Sequence, residues 1–164
     1  MSPDSPSLAP NDAVVALRSM PRRYRAALLP VDDPEVESRA VTIGPAGVSA
    51  TDLAADTVRT LTVLERALHD VRVTTEPVLH PAIVDRAARQ WDAAVAESPA
   101  AVLAQLDDVA ASFADAVEAT PAPDWPRAGT SGGRRVTAIE IVGEAVDLAA
   151  HNLRSIETLL ASLD

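Results

Sequence analysis

At 164 residues the chain is long enough to build one domain around a full hydrophobic core. Apolar residues make up 48% of it and aromatics only 2%, so the core must be built from Ala, Val, Leu and Ile, which favours close-packed helices over a β-sandwich. A net charge of −10 excludes general nucleic-acid binding, because such a surface repels phosphate backbones, and the lack of Cys excludes disulfides, thiolate metal sites and cysteine nucleophiles.

The first ten residues, MSPDSPSLAP, carry Pro and Ser but no basic, apolar signal, and are expected to be a disordered tail ahead of a single domain over 11–164. A helical pattern then runs from about Asp12 to Leu29, with Asn11 in position to cap it. Pro21 falls inside this pattern and predicts a kink or break near Met20. Residues Val31 to Val48 are rich in Asp, Pro and Gly and are expected to connect.

Ser49 and Asp52 form a capping-box pair at the start of the second helix. Leu53, Leu61, Leu64, Leu68 and Val71 then repeat on one face, and the pattern is expected to end near Val71. His80-Pro81 is expected to open a shorter helix through Ala94 that contains Trp91. Ser98-Pro99, a cap followed by proline in the first turn, starts the third long helix, whose apolar face includes Val102, Leu106, Val109 and Phe113. Thr120 to Arg135 holds three Pro and three Gly and is expected to be a loop anchored by Trp125. Gly132-Gly133-Arg134-Arg135 is not read as a phosphate loop, since no strand is expected ahead of it. Thr137 and Glu140 form a second capping box, and the last helix runs on to Leu163.

Two of the connectors between the long helices are themselves long, which points to a bundle with an extra helix or a crossover. No apolar run reaches the ~20 residues that span a bilayer. The expected setting is the cytoplasm, without a membrane partner.

Asp147 and His151 stand one turn apart on the last helix, a spacing that puts a carboxylate and an imidazole on one side. The pair is half of a metal site or of an acid–base pair. The apolar arc of that helix is Val142, Ala145, Val146, Ala149, Leu153, Ile156, Leu160 and Leu163. Asp147 and His151 fall beside its centre, next to Glu140 and Glu144, as residues of a solvated face also would. Asp56 lies at the edge of the apolar stripe of the second helix. It is either an early-turn acid suited to the helix dipole or a third ligand aimed into a groove. His69 fits a helix C-terminus, His80 a cap or surface position, and Arg127 a salt bridge or an anion contact.

Four fragments in order carry a resemblance over nearly the whole chain: MPRRYRAALL, GPAGVSATDLAADTV, SPAAVLAQLDDVAASFADAVEATPAPDWPR and GRRVTAIEIVGEAVDLAAHNLRSIE. Together they resemble the DinB-like superfamily of four-helix bundles, whose relatives include mycothiol-dependent maleylpyruvate isomerase. The resemblance implies an all-α fold, a DinB-like four-helix bundle with a short additional helix. It implies a metal centre of three His ligands, one on the second helix and two on the last. Val48 stands where the family has Trp, and Asp56 stands at the first His position. Asp147 and His151 stand at the others in one register. A second register, anchored on Leu153-Arg154-Ser155-Ile156, puts Leu148 and Asn152 there instead.

Under the first register the resemblance implies a divalent metal (zinc, nickel or manganese) held by Asp56, Asp147 and His151. It implies a low-molecular-weight thiol cofactor, with Arg127 as its anion contact. The activity would be a metal-dependent transferase or isomerase acting on a small molecule. Asp is a competent ligand for these metals, but a harder and more anionic one than His. Under the second register the site is dead, since Leu has no lone pair to give. The chain would then be a non-catalytic helical module for binding or dimerisation. Relatives often form homodimers, though no exposed apolar stripe demands one here.

Overall fold

A computed structural model describes residues 8–89 and 97–164. Within them the helices are α1 (Pro10–Leu28), α2 (Pro34–Ala40), α3 (Ala50–Val73), α4 (Pro99–Glu118) and α5 (Ala138–Ser162). A two-stranded hairpin, β1 (Ala128–Ser131) and β2 (Arg134–Thr137), precedes α5.

The starts of the long helices follow local chemistry. Ser49 and Asp52 close a reciprocal capping box on α3, and Thr137 and Glu140 do the same on α5. Ser98 accepts from the Ala101 amide at the head of α4, with Pro99 in its first turn. The start of α1 differs from the sequence reading. Ala9 rather than Asn11 is the capping residue and Pro10 sits in the first turn, where its missing N–H costs nothing. Pro21 does not break α1, which is helical from Pro10 to Leu28. Burial of Leu17, Met20, Tyr24 and Leu28 on one face outweighs the single backbone hydrogen bond that proline forfeits. Of the expected tail, residues 1–7 lie outside the described residues, while Leu8 already packs against the core.

The connectors hold more structure than their composition suggested. Val31–Val48 contains α2, capped by Asp33 with Pro34 in its first turn. The described part of the His80–Ala94 stretch is two 3₁₀ turns, Pro81–Ile83 and Arg86–Ala88, and the remainder with Trp91 lies outside the described residues. Thr120–Arg135 is not simply a loop, since it supplies β1 and the start of β2. Gly132 and Gly133, at φ of 55° and 79°, form the two-residue turn between the strands, a geometry that favours glycine. A strand therefore does precede these glycines. A second strand follows them, where a phosphate loop would lead into a helix.

Four helices make the bundle. Around its cross-section α1 packs on α4, α4 on α3, α3 on α5 and α5 on α1. Side-chain pairs set the directions. Arg18 meets Asp115 and Arg25 meets Asp107, so α1 and α4 are antiparallel. Glu65 meets Ser112 and Arg72 meets the Ala119 carbonyl, so α3 and α4 run parallel. Asn152 meets Asp56 while the start of α5 lies near the end of α3, so those two are antiparallel. The order is up, down, down, up. Parallel neighbours cannot be joined by a tight turn, which is why the connection between α3 and α4 is long. The core between the helices is mostly aliphatic, with Tyr24 and Phe113 as its fully buried aromatics and Thr57, Thr60 and Asn152 as buried polar residues. Trp125 is half-buried against its edge.

Candidate functional site

The three residues that the sequence singles out as ligands lie on α3 and α5, which pack on each other. The inward face of α5 is Ile141, Val142, Ala145, Leu148, Ala149, Asn152, Leu153 and Ile156, all buried. Asp147 and His151 are exposed. One residue along a helix is a rotation of about 100°, so each of them faces away from the seam that its neighbour enters. The two positions of the second register, Leu148 and Asn152, are the buried ones, and Asn152 reaches α3.

Asp56 does face the seam. Its Oδ2 accepts a hydrogen bond of 3.0 Å from Asn152 Nδ2. The same amide nitrogen lies 2.9 Å from Thr57 Oγ1 and 3.5 Å from the Leu53 carbonyl. Thr57 Oγ1 is 2.9 Å from Tyr24 Oη, and Tyr24 donates to the Ala149 carbonyl at 2.7 Å. Burial pushes the Tyr24 phenol well above its ordinary pKa, outweighing the hydrogen bond with Thr57, so it remains a proton donor across the physiological range.

The metal set Asp56, Asp147 and His151 is therefore not assembled. Among the described residues no group of three His, Cys, Asp or Glu side chains stands close enough to hold a metal ion. The physical reason is helical register: the apolar residues of α5 take the buried arc and turn Asp147 and His151 into water. Of the second register's positions, Asn152 meets Asp56 with its amide nitrogen directed at that carboxylate, and Leu148 is buried and has no donor atom. They do not fit a three-ligand metal centre.

Arg127 is elsewhere. Its Nε donates to the Val71 carbonyl at 2.8 Å and its Nη2 reaches the Thr74 carbonyl at 3.5 Å. Val71 is fifteen residues along α3 from Asp56, about 22 Å at the helical rise. The guanidinium thus serves the carbonyls at the end of α3, where a cation also suits the dipole, and is not placed beside the seam. His80 caps the first 3₁₀ turn through Nδ1, which accepts from the Ala82 amide at 3.0 Å, and His69 is exposed near the end of α3.

One cluster was not anticipated. Glu144, two turns before Asn152 on α5, accepts from Arg86 Nε and Arg89 Nη2, each at 2.9 Å. The Arg89 side chain is 3% exposed, and its Nε also holds the Ala82 carbonyl at 2.8 Å. Burial pushes the Glu144 carboxyl up, but the hydrogen bonds from Arg86 and Arg89 outweigh it and hold it below the usual range. The cluster fixes the 3₁₀ turns to α5. A buried arginine in a proline-bounded connector gave no periodic signal by which to find it.

No protein-family model matches the chain, and no curated protein is similar to it in sequence. A solved structure is similar in fold: YfiT from Bacillus subtilis, described as "a probable metal-dependent hydrolase with an unusual four-helix bundle topology". The TM-score is 0.79 over 99% of this chain and 93% of that one, at 14% identity. The fold is that of this four-helix bundle. At this identity the likeness speaks for the architecture and leaves the chemistry to the side chains. No helix among the described residues is long and apolar enough to cross a membrane.

Proposed function

We propose that this chain is a DinB-like bundle that works without a metal centre, as a non-catalytic binding or dimerisation module. The observation that carries the reading is the register of α5, which buries Leu148 and Asn152, brings Asn152 to Asp56 and leaves Asp147 and His151 in solvent. A metal-dependent enzyme needs convergent ligands and an open coordination position. The alternative, a metal- and thiol-dependent transferase or isomerase, has the likeness to YfiT on its side. It lacks a donor at position 148 and an anion contact beside the seam.

Metal analysis of protein purified without chelator tests the reading. The expected result is far less than one zinc, nickel or manganese per chain, and a melting temperature that none of the three ions moves. An equimolar metal that is lost in Asp56→Ala would overturn it.

A further inference from the structure

α1 and α4 lie side by side and carry opposite charge. α1 bears Arg18, Arg22, Arg23 and Arg25 against a single acid, Asp12, while α4 bears Asp107, Asp108, Asp115 and Glu118 and no base. Arg18 meets Asp115 and Glu118, and Arg25 meets Asp107, through side chains that stay exposed. Arg22 stands between them, is exposed, and has no acid paired with it among the described residues. The levels of the two ion pairs set Arg22 opposite Ala110 and Ala111, and Ala111 is exposed. The groove there, of about 440 Å³, has an apolar floor of Leu17, Pro21, Ala110 and Ala111. Beside it lies Val15, 69% exposed, the most exposed large apolar side chain on the four bundle helices.

We infer that a second copy of the chain docks on this face, with α1 of each copy on α4 of the other. The inference rests on the reading of the chain as a binding or dimerisation module, and it names the partner and the face. Two copies can meet here about a two-fold axis in either of two ways. An axis across the helices sets α1 on α1, arginine against arginine, and acid against acid on α4, which like charge opposes. An axis along the helices, between α1 and α4, sets α1 on the partner's α4 and leaves every residue at its own level. Arg18 then stands level with the partner's Asp115, as it does with its own. Arg22 gains an acidic helix across the interface, near the partner's Ala111. A partner bearing acids alone would be repelled by the four acids of α4, whereas a second copy carries both rows. Helices of 19 and 20 residues present a face about 29 Å long. At a helix spacing of about 10 Å that is roughly 600 Å² from each copy, enough for a specific interface of the smaller kind.

Sedimentation velocity from about 1 to about 200 μM chain, in about 50 mM and about 500 mM sodium chloride, reads the association. The expected result is a dimer that the higher salt weakens at least about tenfold. Arg22→Glu and Ala111→Arg should each weaken it at least about tenfold, because each sets like charges level across the interface. Ala111→Glu, at the same position, should tighten it, and the double variant Arg22→Glu/Ala111→Arg should regain most of the loss. Both positions are exposed, so circular dichroism should show native helix in every variant. A wild type that stays monomeric throughout in low salt would overturn the inference and leave the face to a different protein. So would a dimer that neither Arg22→Glu nor Ala111→Arg weakens, since it would use another face. Ala111→Glu and Ala111→Arg acting alike would overturn the charge-matched arrangement. Metal content decides the metal-free reading separately: a metal-free monomer defeats this inference alone, and a dimer with equimolar metal defeats that reading alone.

Discussion

Two single side chains carry more of the fold than their neighbours suggest. Tyr24 is the sole hydroxylated aromatic in the chain, and its hydroxyl joins α1 to α3 and α5. Tyr24→Phe keeps the ring and removes the hydroxyl, leaving the Ala149 carbonyl without that donor. The expected loss is about 1–2 kcal/mol, read as a lower urea midpoint at unchanged m. Glu144 is the second. Its carboxylate is shared by Arg86 and Arg89, and replacing it leaves a nearly buried guanidinium short of its counter-charge. Glu144→Gln should cost roughly 2 kcal/mol at pH 7. The sign of the pH dependence follows from the direction of the shift. A carboxyl held below its unfolded pKa contributes its full stabilisation above that pKa and loses it as pH falls through the folded value. The gap between wild type and Glu144→Gln should therefore be constant from pH 8 to pH 6 and narrow below about pH 4.5. A gap that widened on acidification would show that the carboxylate is not the stabilised form.

At the scale of elements, legibility divided along local and non-local lines. The caps at Ser49, Ser98 and Thr137 could be read because each is decided by residues three apart in sequence. The last helix was legible too, since its apolar arc already set Asp147 and His151 to one side. The family resemblance, in one of its two registers, pulled those residues into a site from which the arc excluded them. A one-residue difference in alignment is invisible to resemblance and decisive for a helix face. The hairpin could not be read, because four-residue strands amid Pro and Gly have no measurable period. Its stability depends on a backbone approach that composition does not reveal. The Leu79 amide donates to the Thr130 carbonyl and the Thr130 amide to the Pro77 carbonyl, at 2.7 and 2.9 Å, beside Gly129. A Cβ on Gly129 would stand 2.7 Å from the Pro77 oxygen and 2.9 Å from Leu79. Gly129→Ala is expected to cost about 1–3 kcal/mol and to speed amide exchange at Leu79 and Thr130 relative to the helices. Unchanged protection at both amides would refute the close packing of this segment.

Across the whole molecule, an aromatic-poor chain must gain its stability from many small contacts, which leaves the few large ones unusually exposed to mutation. Most ion pairs are at the surface. Arg18, Arg25 and Arg39 each hold acids with side chains half or more exposed, pairs that contribute little. The core instead closes around Phe113, fully buried on α4 between α1 and α3. The up, down, down, up order leaves α4 with long connectors at either end, so it depends on its buried face, since its pairs with α1 through Arg18 and Arg25 are exposed. Truncation of its one aromatic should be felt globally. Phe113→Ala should lose about 3–5 kcal/mol, a large share of the roughly 5–15 kcal/mol available to a domain, whereas Phe113→Leu, which keeps most of the volume, should lose under about 1.5. Urea unfolding followed by circular dichroism measures both. If the two variants prove equally mild, the packing around α4 is loose enough to absorb the cavity. If α4 melts ahead of the rest in Phe113→Ala, the crossover has made it a separate unit of stability, and the single cooperative transition expected of wild type would not extend to the variant.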